Sequence, residues 1–371
     1  VVDYLSGKGY RVLLVNPLTT YYSRPLMNND FSKTDPKDAL LVATNAHSGN
    51  YNKYIRFSPA INRLHRLSIT YDKLIKDRQR VILRMRAFMD EVFPEYLKCV
   101  NVEIESSLYL LERYFLPEHF RGLDIDEHEW TIRRISNGNH KADMLKKVKE
   151  HAHRSVGRNV EGEQQSLRLI LDVWISEMRQ MNEGIKALKK AMVELAEQTE
   201  YFEILKSVPG ISGLTAARFI AECRDLDLFS HYRQIEKMAG SNLKVADSGK
   251  FTGIRRISGI GNKRLLKLIY LMTTQTARFT PEVRIKFIRR QLKKGSYRKN
   301  IMASSSVLLK LLMSLVKNKR NYELKEETLK ELERLELKYD LGTSRVRPDK
   351  NRKKKDGKGN KDKKTPDKEA A

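Results

Sequence analysis

The sequence predicts an α+β chain that is mostly α, and three observations carry that prediction. Strand signals are few and confined to the first 60 residues. Two long apolar stripes run with heptad spacing, and the stretch after residue 200 breaks into short amphipathic segments punctuated by Gly and Pro. With 371 residues, 40% of them apolar, the chain can fill cores for two or three domains.

Residues 1–58 form the α/β portion. "VVDYLSGKGYRVLLVNP" reads as a helix end, a stop at Gly9 and a buried strand from Val12 to Val15 closed by Asn16 and Pro17, with "YIRF" at 54–57 as a second short strand. Two strands alone leave backbone groups without partners, so the rest of a sheet is expected upstream of Val1 or from another chain.

Within this portion "KTDPKDA", 33–39, places two aspartates three residues apart beside Lys33. One reading is structural: Asp35 caps a helix, Pro36 takes its first position and Asp38 faces the positive end of the dipole. The other is chemical. Carboxylates at i and i+3 share a helix face and can hold Mg²⁺, whose octahedral shell leaves places for phosphate oxygens.

Residues 59–200 are expected to be a helical linker and oligomerisation region. Leu64, Leu67, Tyr71, Leu74, Val81, Met85, Phe88 and Val92 make one stripe, broken only at Arg78, and Leu167, Leu171, Trp174, Met178, Met181, Ile185, Leu188, Met192 and Leu195 make a second. The two helices suit an antiparallel hairpin, a pairing across a dimer, or one face of a bundle. Between them 93–163 reads as polar, with "PEHFRGLDIDEHEW" and "SNGNHK" as loops. His151 and His153 in "HAH" point to different helix faces and read as surface residues.

Residues 201–320 are expected to form a compact helical domain, followed by a charged helix at 321–342 and a disordered basic tail at 343–371. "SVPGISGLTAARFIAE" resembles a helix-hairpin-helix, in which Gly210 opens a turn whose free N–H groups hold a phosphate without reading its base; a plain packing corner fits as well. "DSGKFTGIRRISGIGNKRLLK" sets Gly249, Lys250, Arg255, Arg256, Lys263, Arg264 and Lys267 in a cationic, glycine-containing loop suited to a nucleic-acid backbone. Ser248 lies inside it with no histidine nearby in sequence, so from the residues alone it is a turn serine. The apolar run 301–316 carries three serines and Lys310 and reads as a buried helix, with no membrane span.

Charge supplies the partner class. Lys and Arg number 72 against 46 Asp and Glu, a net +26, and since the 29-residue tail accounts for +7, residues 1–342 carry +19. A surplus of this size marks a polyanion-binding protein. Two distant cysteines, Cys99 and Cys223, argue against a disulfide framework or a thiolate zinc site and fit a reducing cytoplasm.

Taken in order, "VNP" at 15–17, "KTDPKDA" at 33–39, "SVPGISGLTAA" at 207–217, "AG" at 239–240, "SGK" at 248–250 and "GNKRL" at 261–265 resemble the DEDD insertion-sequence transposases of the IS110 group, which include Piv-type DNA invertases and bridge-RNA-guided recombinases. The resemblance implies an RuvC-like (RNase H-like) domain at 1–58, a coiled-coil connection, and a C-terminal serine transposase domain. It puts Asp35 and Asp38 at the last two of four carboxylates holding Mg²⁺, with Ser248 as the nucleophile. The family's first Asp and its Glu fall upstream of Val1, so the chain reads as N-terminally truncated. The implied function is Mg²⁺-dependent cleavage and rejoining of DNA at element ends and target, guided by a structured RNA, in a homo-oligomer (dimer or tetramer). The rivals are a non-catalytic nucleic-acid scaffold and an RuvC-like resolvase that uses metal-activated water.

Overall fold

The structure, a computed structural model, describes residues 1–28, 32–140, 142–158, 160–244, 247–248, 251–252, 256–293 and 295–344; the side chains of 27, 28, 247, 248, 251, 252, 256 and 340–344 are outside the description. The chain divides into two units, Val1–Asn62 and Arg63–Ala371.

The first unit contains α1 (Val2–Gly7), β1 (Leu13–Leu14), α2 (Pro17–Asn28), α3 (Asp35–His47) and β2 (Asn52–Lys53). The expected strand at 12–15 shortens to two residues, and its antiparallel partner is Asn52–Lys53, not "YIRF". Tyr54 turns its hydroxyl to Asp3, at 2.7 Å, and its N–H reaches Val12 O at 3.5 Å, beyond the end of the ladder. The helices α2 and α3 pack together, joined by Ser23 Oγ donating to the buried Asn45 Oδ1 at 3.1 Å.

The second unit is helical except for a small hairpin. Its first long helix, α4 (Pro59–Val92), has 34 residues and begins just before the boundary between the units. Five short helices follow: α5 (Tyr96–Cys99), α6 (Glu105–Leu111), α7 (Pro117–Arg121), α8 (Ile125–Ile135) and α9 (Ala142–His153). The second long helix is α10 (Gln164–Glu197), also of 34 residues.

The two long helices pair with each other, antiparallel. Leu74 touches Gly184, Arg78 Nε donates to Asn182 Oδ1 at 2.7 Å, and Phe88 meets Trp174 edge to face at 5.9 Å, so numbers rise on one helix as they fall on the other. Leu171, Met178, Ile185 and Met192, spaced by seven, are buried along α10. The break at Arg78 has a physical reason, since its guanidinium also reaches Glu103 and fills a polar notch in the seam.

Residues 93–163 depart most from expectation. They are a helical cap over α4 and α10, with Phe93, Tyr96, Phe120, Leu123, Ile132, Leu145 and Val148 fully buried. Single apolar residues spaced along charged segments hid this core. "IDEHEWTIRRI" is an amphipathic helix N-capped by Asp124, and of the two stretches read as loops 122–124 and 136–140 are the non-helical parts among the described residues.

The rest comprises α11 (Tyr201–Lys206), α12 (Gly213–Cys223), a 3₁₀ turn (Leu226–Leu228), α13 (Tyr232–Ala239), β3 (Leu243–Lys244), β4 (Asp247–Ser248), β5 (Phe251–Thr252), β6 (Arg256–Ile257), α14 (Lys263–Phe279), α15 (Pro281–Gln291), α16 (Tyr297–Lys317) and α17 (Glu326–Ser344). The charged helix starts at Glu326, later than the sequence suggests, and almost all of the tail is outside the described residues. By length and composition α16 would cross a membrane, yet over half of its apolar window is buried. It touches α11, α13, α14 and α15 and lies at the centre of this helical domain.

Candidate active site

The acidic pair stands at the start of α3. Thr34, in extended conformation, precedes the helix, Asp35 is its first residue and Pro36 its second. The expected cap at Asp35 is therefore displaced by one position, to Thr34, whose side chain makes no capping hydrogen bond. Asp35 is exposed and its carboxylate makes no hydrogen bond or ion pair among the described residues.

Asp38 is engaged. Arg24 on α2 donates Nε to Oδ1 at 3.2 Å and Nη2 to Oδ1 at 2.9 Å and to Oδ2 at 3.3 Å, with side-chain exposures of 15% for Arg24 and 28% for Asp38. The guanidinium takes the place a cation would take. A carboxylate presented to a positive charge beside a free one on the same helical turn fits a divalent ion, provided Arg24 yields. No group of three or more metal-ligating side chains occurs among the described residues. Lys33 is exposed in the segment before α3.

Ser248 is the last residue of β4. Its main chain pairs with Phe251 and that of Asp247 with Thr252, while β3 and β6 pair outside them, Leu243 with Ile257 and Lys244 with Arg256. The cationic loop is thus a nested antiparallel hairpin whose inner pair holds Ser248. Gly249, Lys250 and Arg255 are outside the described residues, as are the side chains of Ser248 and Arg256.

The root of the hairpin is held by backbone contacts. Ser258 N–H donates to Asn242 O at 2.8 Å, Gly259 N–H to Gly240 O at 2.9 Å, and Asn262 N–H to Met238 O at 2.7 Å. Gly240 closes α13 in a left-handed conformation, φ 77°. Gly261, φ 155°, passes so close that an added Cβ would lie 2.5 Å from Met238 O and 2.6 Å from Gly240 N. Gly261→Ala is therefore expected to cost at least about 1 kcal/mol, read as a lower midpoint in urea unfolding; an unchanged midpoint would show that the crossing relaxes freely.

Where the hairpin joins α14, Arg264 is paired with a buried carboxylate. Arg264 is not a free phosphate ligand: its Nε and Nη2 donate to Glu222 Oε1 and Oε2 at 2.9 and 3.2 Å, and the Glu222 side chain is only 1% exposed. Asn262 Nδ2 donates to the same carboxylate at 2.6 Å while its Oδ1 caps α14 by accepting from Arg264 and Leu265 N–H. Ser68 Oγ on α4 completes the set at 3.4 Å. Burial alone would raise the Glu222 pKa, but the hydrogen bonds from Arg264 and Asn262 and the positive charge beside it hold it below its ordinary value. Nearby His65 Nδ1 bonds Ala221 O at 2.8 Å, and its pKa is lowered, chiefly by burial.

Gly210 has a packing role. It adopts φ 92° with the backbone of Gln275 and Thr276 3.1 Å from where a Cβ would stand, so the Pro209–Gly210 turn is pressed against α14. Lys263, first residue of α14, remains exposed. Sequence reasoning missed Arg24 and Glu222. A glutamate within "ARFIAEC" is a charge in an apolar helix and marked a buried partner; Arg24 carried no comparable signal.

Residues 1–94 match a transposase family of the DEDD, IS110 type, and residues 202–287 match the family described as Transposase IS116/IS110/IS902. Among curated relatives, an insertion element IS116 uncharacterized 44.8 kDa protein of Streptomyces clavuligerus is 26% identical over 252 residues, 67% of this chain and 62% of that protein. An insertion element IS900 uncharacterized 42 kDa protein of Mycobacterium paratuberculosis is 22% identical over 331 residues, 87% of this chain and 80% of its own length. The chain thus spans less than two thirds of the first relative.

Proposed function

We propose that this chain, an IS110/IS116/IS902 family transposase by its two domains, cuts and rejoins DNA at the ends of an insertion element, with Ser248 as the nucleophile and Asp35 and Asp38 holding a divalent cation, taken as Mg²⁺. The observation that supports this most is placement. The acidic pair falls inside the matched segment 1–94, and Ser248 falls inside the matched segment 202–287. A structured RNA guides the choice of site, and a homo-oligomer in the cytoplasm brings the half-sites together.

In this scheme the Ser248 hydroxyl gives up its proton as its oxygen bonds to phosphorus, and one ester oxygen leaves with a strand end. The phosphodiester to serine conserves the bond until the hydroxyl of the incoming strand attacks the same phosphorus and releases the serine. The inner ladder that holds Ser248, the outer ladder and the clamped root restrain the serine backbone during both displacements. Lys263, exposed at the exit of the hairpin, binds phosphate in this scheme. Asp35 and Asp38 would hold the cation, which when bound polarises the phosphate and steadies the leaving oxygen.

Incubating the protein with element-end DNA, structured RNA and Mg²⁺ is expected to give an SDS-resistant protein–DNA adduct that disappears in Ser248→Ala. An adduct that persists in the variant removes Ser248 as nucleophile. Cleavage with no adduct in either protein points to metal-activated water, and binding with no cleavage points to a scaffold.

A further inference from the structure

The positive charge of this protein is concentrated in one stretch of chain. Residues 248–322 hold 19 Lys and Arg against a single acid, Glu282, so 75 residues carry +18 of the total +26. From 283 to 322 there is no acid at all. Fold placement decides which of these cations are available. Arg264 is committed to Glu222, and Lys319 pairs with Glu200 at 2.9 Å. Arg284 and Arg289 face α17, where Glu336 and Glu331 neutralise them.

The turn joining α15 to α16 escapes this neutralisation. Lys293, Arg298 and Lys299 are exposed there and form no ion pair among the described residues. The turn is built rather than loose. Asn300 is 1% exposed, donates Nδ2 to Gly295 O at 3.1 Å and to Gln291 Oε1 at 3.2 Å, and accepts from Arg290 Nε at 3.3 Å. Gly295 fits so closely that a Cβ would meet Asn300 Oδ1 at 2.4 Å. Arg298 and Lys299 also stand in the first turn of α16, where cations oppose the helix dipole. Mutual repulsion on a preorganised turn is a cost that a bound polyanion offsets.

We propose that the α15–α16 turn, through Lys293, Arg298 and Lys299 with Arg290 beside them, is a docking surface for the phosphodiester backbone of duplex DNA, separate from the Ser248 hairpin. The surface reads charge and not bases, because it offers ammonium and guanidinium groups alone. It rests on the nucleic-acid reading above but does not depend on Ser248 as nucleophile.

The test compares the parent with a Lys293→Gln, Arg298→Gln, Lys299→Gln triple variant, titrating fluorescent duplex DNA and, in a second arm, a structured RNA across a salt series. Loss of three phosphate contacts is expected to make the slope of log affinity against log salt shallower by about 3, with a weaker affinity at low salt. The thermal midpoint should not fall, since all three side chains are exposed and their neutralisation relieves repulsion with one another and with the helix dipole. An effect on DNA, with or without one on RNA, supports the proposal, and an effect confined to RNA overturns it. The swap Arg298→Lys, Lys299→Arg should retain binding. The proposal is overturned if the triple variant binds both ligands with the parent's affinity and slope, or if a control triple on α10, Lys186→Gln, Lys189→Gln, Lys190→Gln, weakens binding equally. Ser248→Ala should bind like the parent, so failure of the serine chemistry and failure of this surface are separate results.

Discussion

Arg264→Ala will destabilise the protein by about 3 kcal/mol, and more than the loss of any exposed cation, because it strands a buried carboxylate. Glu222 is 1% exposed, and Arg264 is its only ionic partner among the described residues. Removing the arginine leaves Asn262 and Ser68, which solvate the charge without neutralising it. For a chain of this size the thermal midpoint should fall by roughly 4–5 °C.

The pH dependence should change sign as well. In the parent the pKa of Glu222 is depressed below 4.5, so its stabilisation is present above the unfolded value and is lost as pH falls through the folded one. Without Arg264, burial is opposed by neutral hydrogen bonds and the weaker charge of His65, and lifts the folded pKa above the unfolded value. The variant then loses stability as pH rises between the two and recovers it on acidification. Thermal melts between pH 4 and pH 7 read this directly, and a Glu222→Gln, Arg264→Ala double variant should regain much of the loss. A variant that melts like the parent but binds DNA poorly would return Arg264 to the role of phosphate ligand.

Asp38→Asn should reduce DNA cleavage by about 100-fold or more, the scale on which removing a charge-stabilising group acts in a polar transition state. Its effect on stability should stay below about 1 kcal/mol, because the Arg24 pair is partly solvated. The separation of these two magnitudes carries the argument, since a merely structural aspartate would lose stability and activity together. Arg24 provides the complementary handle. Because it occupies Asp38 bidentately, Arg24→Ala should lower the Mg²⁺ concentration needed for half-maximal cleavage, whereas Asp35→Asn should raise it. Full activity of Asp38→Asn across a Mg²⁺ titration would reject the acidic pair as the metal site.

The sequence was most legible where a repeating pattern met a repeating structure. The stripes on α4 and α10 are read from spacing alone, and even the Arg78 interruption has a partner at Asn182. What spacing could not choose was whether the helices pair with each other or across copies, because apolar faces of equal length suit both. The cap at 93–163 was obscured because its core is assembled from a few residues on each of five helices, three of them no longer than seven residues and the other two rich in charged residues. At the site, the acidic pair and the serine were visible as motifs, but their attachments were not. Arg24 reaches Asp38 from another helix, and Glu222 reaches Arg264 across 42 positions. Such pairings depend on tertiary approach, to which local pattern is blind.

The central position of α16 bears on how copies of this gene succeed or fail. The last core cannot close until Lys317 has been synthesised and has cleared the ribosome tunnel, so α11 through α15 must wait, with their apolar faces wet, while the final coding stretch is translated. A copy interrupted by a stop codon anywhere before that point should therefore yield sticky, short-lived polypeptide rather than a soluble competitor of intact copies.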